Sequence, residues 1–131
     1  MAHFAQLDQS GVVLSVIVID NNVVNNLPFP ESEPMGIAFC QSLYGENTVW
    51  KQTSYNANFR YNYAANGCPF IFEAQPDGAF LLPKPYPSWL LDTKTYQWIA
   101  PIPMPNVPPG YEAYWDEETQ EWYLVHTGKA T

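Results

Sequence analysis

Apolar and polar positions change their spacing along this chain, and each change marks an element. The first twenty residues read as a hairpin. Ala2-His3-Phe4-Ala5-Gln6-Leu7 is one strand, Asp8-Gln9-Ser10-Gly11 the turn, and residues 12–19 the return strand. Most of the return residues are β-branched, and the turn carries a glycine able to take positive φ. Both faces of the return strand are apolar apart from Ser15, which predicts a place in a sheet's interior or beneath a partner. Residues 20–34 fit neither a helix nor a strand period, because four Asn and three Pro interrupt them. A helix is predicted over 33–44. Ser32 is its expected N-cap, Pro34 sits in its first turn, Ile37, Phe39, Cys40, Leu43 and Tyr44 fall on one side, and Gly45 ends it. A helix this short is not stable alone, so it must pack on the sheet.

From Thr48 onward the pattern is β and turn. Residues 49–55 read as a strand and 59–63 as an aromatic segment after an Asn-rich bend. Three aromatic hairpins follow. Phe70-Ile71-Phe72 returns as Phe80-Leu81-Leu82, Trp89-Leu90-Leu91 as Tyr96-Gln97-Trp98-Ile99, and Tyr114-Trp115 as Glu121-Trp122-Tyr123-Leu124. Cross-strand aromatic pairs hold such hairpins in register. Pro-rich joints, 82–87 and 101–110, separate them as stiff spacers. The expected architecture is α+β and mainly β: a small antiparallel sheet with one short helix, then extended Pro-linked hairpins. The expected units are 1–66 and 67–131. Isolated hairpins are marginal in water, so this arrangement points to a chain that lies along another surface or forms part of an assembly.

Composition narrows the function. The chain has 131 residues, 47% hydrophobic and 16% aromatic, with 13 Pro. Thirteen acids against five bases leave a net charge of −8, which disfavours nucleic acid and anionic membranes as partners. The bases Lys51, Arg60, Lys84, Lys94 and Lys129 are scattered, so no basic patch accompanies the aromatics. Cys40 and Cys68 show neither disulfide-framework nor zinc spacing and read as reduced, small hydrophobes. The apolar run 12–19 is too short to span a bilayer. It also lacks a preceding basic residue, as a signal peptide would need, so synthesis and folding in a cytoplasm are expected.

No catalytic constellation emerges from the residues. His3 and His126 have no HxH or HxxxH partner, and the serines lack a nucleophile-elbow context. Asp116-Glu117-Glu118 has no EF-hand spacing and reads as a solvated hairpin turn. The expectation is no enzyme, no cofactor and no metal. Trp89, Trp98, Trp115 and Trp122, with Tyr86 and Tyr114, are the candidate partner-binding residues. Short hairpins joined by proline spacers should be unable to bury all of these aromatics internally.

Several blocks resemble a group of small tailed-bacteriophage proteins, especially those of phages infecting cyanobacteria. They are Met-Ala-His-Phe-Ala-Gln-Leu-Asp at the start, Val-Val-Leu-Ser-Val-Ile-Val at 12–18, Gly-Ile-Ala-Phe-Cys-Gln-Ser-Leu-Tyr-Gly at 36–45, Trp-Lys-Gln-Thr-Ser-Tyr-Asn-Ala-Asn-Phe-Arg at 50–60 and Pro-Lys-Pro-Tyr-Pro-Ser-Trp at 83–89. Trp-Asp-Glu-Glu-Thr-Gln-Glu-Trp at 115–122 belongs with them, and the C-terminal part is similar to phage tail assembly chaperone domains. The chain departs from the group at 66–69 and 75–78. The resemblance implies a phage-encoded, non-enzymatic particle or assembly protein. The strung-out hairpins, stiff proline joints and aromatics make a virion accessory protein the first expectation: a decoration, cement or tail-attached protein bound in several copies to capsid or tail proteins, with a further copy of itself as another expected partner. The alternatives are a tail or tail-fibre assembly chaperone and, from the aromatics alone, a glycan-binding module for host recognition.

Overall fold

The computed structural model describes residues 1–128. The fold is α+β and mainly β, 33% strand and 13% helix, with small antiparallel sheets. It divides into two compact units, Met1–Pro83 and the residues from Lys84 onward. The division falls at 83/84 rather than at the expected 66/67, because the first aromatic hairpin belongs to the core of the first unit.

Strand β1 (Ala2–Leu7) is the centre of a three-stranded antiparallel sheet, flanked by β2 (Val13–Ile19) and β3 (Val49–Thr53). The return strand is therefore an edge strand and not an interior one. Its two apolar faces have a different cause. Successive strand residues point to opposite faces, and this sheet has a core on each. Ala2, Phe4, Ile19 and Trp50 join Val24 and Cys40 on one face, while Ala5, Leu7 and Val13 join Ala64, Phe70 and Phe80 on the other. Within β2, Ile17 packs against the first cluster and its neighbour Val16 against the second.

Between β2 and the helix the chain makes one 3₁₀ turn, Asn21–Val24, capped by the Asp20 carboxylate. Helix α1 (Ser32–Tyr44) then packs on the sheet by a side that includes the expected Ile37, Phe39 and Cys40 but is centred one turn earlier. Ser32 is not its N-cap. Glu31 takes that position without a side-chain cap, while Ser32 is buried and donates its hydroxyl to Gln52 Oε1 at 2.7 Å. The buried stripe is Ser32, Gly36 and Cys40, small residues four apart. Gly36 lets the helix approach Phe4 closely, since a Cβ there would lie 1.9 Å from Phe4 Cζ. Ile37 and Phe39 flank the stripe, whereas Leu43 and Tyr44 stay exposed.

After β3 the chain coils through residues 54–66 without a strand. The hairpin β4 (Phe70–Ile71) and β5 (Ala79–Phe80) then closes the second core, with the Phe70 and Phe80 rings 4.8 Å apart. Gly78, at φ +88°, permits this turn, because a Cβ there would meet Phe70 Cζ at 2.2 Å.

A buried ion pair ties these pieces together. Arg60 pairs with Glu33 of α1 through both guanidinium Nη atoms. It also donates to the carbonyls of Gln52 and Asp77, each at 2.9 Å. Its guanidinium lies 4.8 Å from the Phe29 ring centroid and 5.3 Å from that of Phe70. The backbone at Arg60 and Tyr61 is left-handed, φ +58° and +70°, uncommon for non-glycine residues. The Arg60 contacts hold this conformation in place.

The second unit is built from two hairpins. The first is β6 (Leu90–Asp92) with β7 (Gln97–Ile99), and the second β8 (Tyr111–Asp116) with β9 (Glu121–His126). Residues 101–109, rich in proline, form no regular element between them.

Candidate partner-binding site

Five of the six candidate aromatics come together in the second unit. In β8–β9, Trp115 faces Trp122 directly, and their rings meet at 5.3 Å and 72°. Trp89, just before β6, packs on both: 5.9 Å from Trp115 edge to face and 6.0 Å from Trp122. Tyr86 leans on Trp89 at 5.5 Å. Trp98 of β7 joins Trp89 and Trp122 along an open groove of about 290 Å³, completed by Ile99, Ala100, Ile102, Pro103 and Met104. Lys84 Nζ lies 5.4 Å from the Trp98 ring centroid. The hairpins thus share one aromatic core, and Trp115 is only 6% exposed. Trp115 is thus a core residue rather than an exposed one, because each hairpin supplies what the other lacks. Trp89, Trp98 and Trp122 are half-buried.

Polar bonds that the sequence did not disclose lock this core. Glu117, read as part of a solvated turn, accepts from Ser88 Oγ at 2.6 Å, from the Ser88 N–H at 3.1 Å and from Trp115 Nε1 at 2.9 Å. The Ser88 hydroxyl, then the Trp115 indole, hold its carboxyl below the usual value of 4.5. Trp122 Nε1 donates to the Ile102 carbonyl at 2.8 Å, tying the proline-rich joint to the third hairpin. No local signal announces either bond, because the partners lie 29 and 20 residues apart. The Trp89 indole N–H is buried without an acceptor.

Tyr114 is the sixth candidate and lies on the opposite face of β8. It pairs across the hairpin with Tyr123, rings 6.0 Å apart at 28°, and its hydroxyl donates to Glu112. That bond and the adjacent negative charge push the phenol's pKa up. Both tyrosines are exposed, as is Val125 beside them, and in β6–β7 the paired Leu90 and Ile99 are exposed too. Leu90, Ile99, Tyr123 and Val125 were not among the expected contact residues, although the alternation of Tyr123 with Trp122 and of Ile99 with Trp98 marks them in the sequence.

Elsewhere, His3 packs between Tyr55 and Tyr63, at 5.9 and 5.8 Å, and burial lowers its pKa. Cys40 and Cys68 are free thiols, and burial pushes Cys40 up to about 11. Of the scattered bases, Arg60 is consumed by its ion pair and Lys51 lies near the Phe70 and Phe72 rings, while Lys129 falls outside the described residues. Among the described residues no His, Cys, Asp and Glu side chains cluster in a way that could hold a metal ion, and no helix is long and apolar enough to cross a membrane. Comparison with family models, with curated proteins and with solved structures returns no match.

Proposed function

We propose that this chain is a non-enzymatic accessory protein of a tailed-bacteriophage particle, adhering in several copies to capsid or tail proteins. The observation that carries the adhesive part is the surface of the second unit. Its Trp residues supply an internal core, yet the paired Tyr114 and Tyr123, with Val125 beside them, and the paired Leu90 and Ile99 remain exposed. Rigid aromatics presented on a locked hairpin are the usual anchors of protein interfaces. Of the about 150–250 Å² of an aromatic side chain, roughly half remains free on Tyr114 and Tyr123, which are 44% and 49% exposed. At roughly 25 cal/mol per Å² two of them contribute several kcal/mol before association costs. The phage setting rests on the sequence blocks that resemble small tailed-phage proteins.

Mass spectrometry of purified virions from a phage encoding this chain tests the reading. Stoichiometric presence is the expected result. Expression in infected cells with absence from virions overturns it in favour of a tail or tail-fibre assembly chaperone. Binding of defined saccharides on a glycan array, without particle association, overturns it in favour of the glycan-binding module.

A further inference from the structure

The three-stranded sheet has two edges, and the fold treats them differently. On the β3 edge, the Gln52 N–H is taken by Glu33 Oε2 at 2.8 Å and the Gln52 carbonyl by Arg60 Nη1 at 2.9 Å. The ion pair caps that edge at Gln52, and Trp50, the next residue whose backbone faces outward, is only 2% exposed, so strand addition is blocked there. On the β2 edge, the only closure among the described residues comes at its start. Val13 donates to the Cys68 carbonyl at 3.0 Å and accepts from the Gly67 N–H at 2.8 Å.

The remaining orientation follows from the ladder. Gln52 faces Phe4 and turns its backbone groups away from β1, so Phe4 must turn its own toward β2, where it faces Ile17. Ile17 thus points inward, and the N–H and carbonyl groups of Val16 and Val18 point outward. Leu14 and Val18, along the same stretch, are 52% and 51% exposed. No Lys, no Pro and no charge protects this edge within 12–19, and its one bulge, at Leu14, lies before Val16 and Val18. The bulge at Leu14 and the 3₁₀ turn beginning at Asn21 bound the open stretch.

We propose that this edge pairs with the same edge of a second copy, the two β2 strands running antiparallel about a two-fold axis at Ile17. Val16 of each copy then forms a hydrogen-bonded pair with Val18 of the other, and Ile17 faces its own counterpart. This register satisfies all four outward backbone groups and sets β-branched residues opposite one another, a favourable cross-strand pair. It also places Asp20 opposite Leu14 of the other copy rather than opposite a second carboxylate. Because the β3 edge is capped, the sheet can extend in only one direction, and an isologous contact closes it at two copies. A strand from another protein could supply the hydrogen bonds as well. The charge-free, self-matching register, and this being the one open edge of the sheet among the described residues, favour a second copy. The inference goes beyond the virion reading and stands independently of it.

Sedimentation equilibrium of the full chain tests the pairing, with amide exchange as a residue-level readout. The expected result is a dimer at about 0.1 mM, with Val16 and Val18 amides that slow as concentration rises. Val18→Lys, at an exposed position, should weaken the dimer by at least about tenfold with unchanged circular dichroism. Val18→Pro removes an outward donor and should do the same. If the proline variant misfolds, the lysine variant decides. A monomeric wild type, or a dimer whose affinity survives Val18→Lys, overturns the proposal.

Discussion

Gly36 shows how one missing side chain sets a packing distance. With the Phe4 ring where a Cβ would stand, Gly36→Ala gains helix propensity but overpacks the first core. The expected net is a destabilisation of roughly 1–3 kcal/mol, read as a lower urea midpoint at unchanged slope. A neutral or stabilised variant would show that Phe4 can move aside. Glu117 makes the same point for a polar group. Its carboxyl is held below 4.5 by donors that exist only in the fold, so its contribution is present above that pH and fades as pH falls through the lowered folded value. Glu117→Gln should lower the thermal midpoint of the Trp near-UV signal at neutral pH and flatten its decline in acid. An unchanged acid profile would show that the Ser88 and Trp115 bonds do not stabilise the unit.

At the scale of elements, the Arg60–Glu33 pair decides how four segments meet. It joins α1, β3, the 54–66 coil and the turn of the β4–β5 hairpin, while Phe29 and Phe70 flank the guanidinium. Removing one member of a buried pair leaves the other charged and desolvated, a loss of about 3–5 kcal/mol. Arg60→Ala is therefore expected to lower the first unit's stability by about that much in chemical denaturation. Arg60→Lys should recover little, since a single ammonium cannot reproduce the forked contacts to Glu33, Gln52 and Asp77. Full recovery by lysine would mean that charge alone, and not geometry, holds the node.

At the scale of the whole molecule, each of the two units carries a core of its own. The second unit separates an inner aromatic face from an outer one, and substitution can distinguish them. Trp115→Ala removes a buried member of the Trp core and should melt the second unit, with loss of the near-UV signal. Tyr114→Ala with Tyr123→Ala removes the exposed pair instead. Particle binding should then fall at least about tenfold while the thermal midpoint barely moves. Undiminished particle binding by the double variant would reject this face as the anchor.

Local pattern alone determined much of this protein. Strands 2–7 and 12–19 (13–19 in the fold), the helix near 33–44 and three aromatic hairpins follow from period, β-branching and turn chemistry, which act over a few residues. The Trp candidates were legible for the same reason, as repeated hairpin positions. Tertiary structure decided which faces are used. The helix packs through Ser32, Gly36 and Cys40 because Phe4 needs room, a demand that no residue within α1 reveals. Trp115 is core and Tyr114 is surface because Trp89 and Glu117 hold one face of β8, and nothing described here covers the other. Arg60 bonds partners up to 27 positions away, and a lone arginine in an acidic chain carries no trace of such partners. Periodicity is a property of neighbours along the chain. Close approach, shared cores and buried ion pairs are properties of distant segments brought together, so only the folded chain displays them.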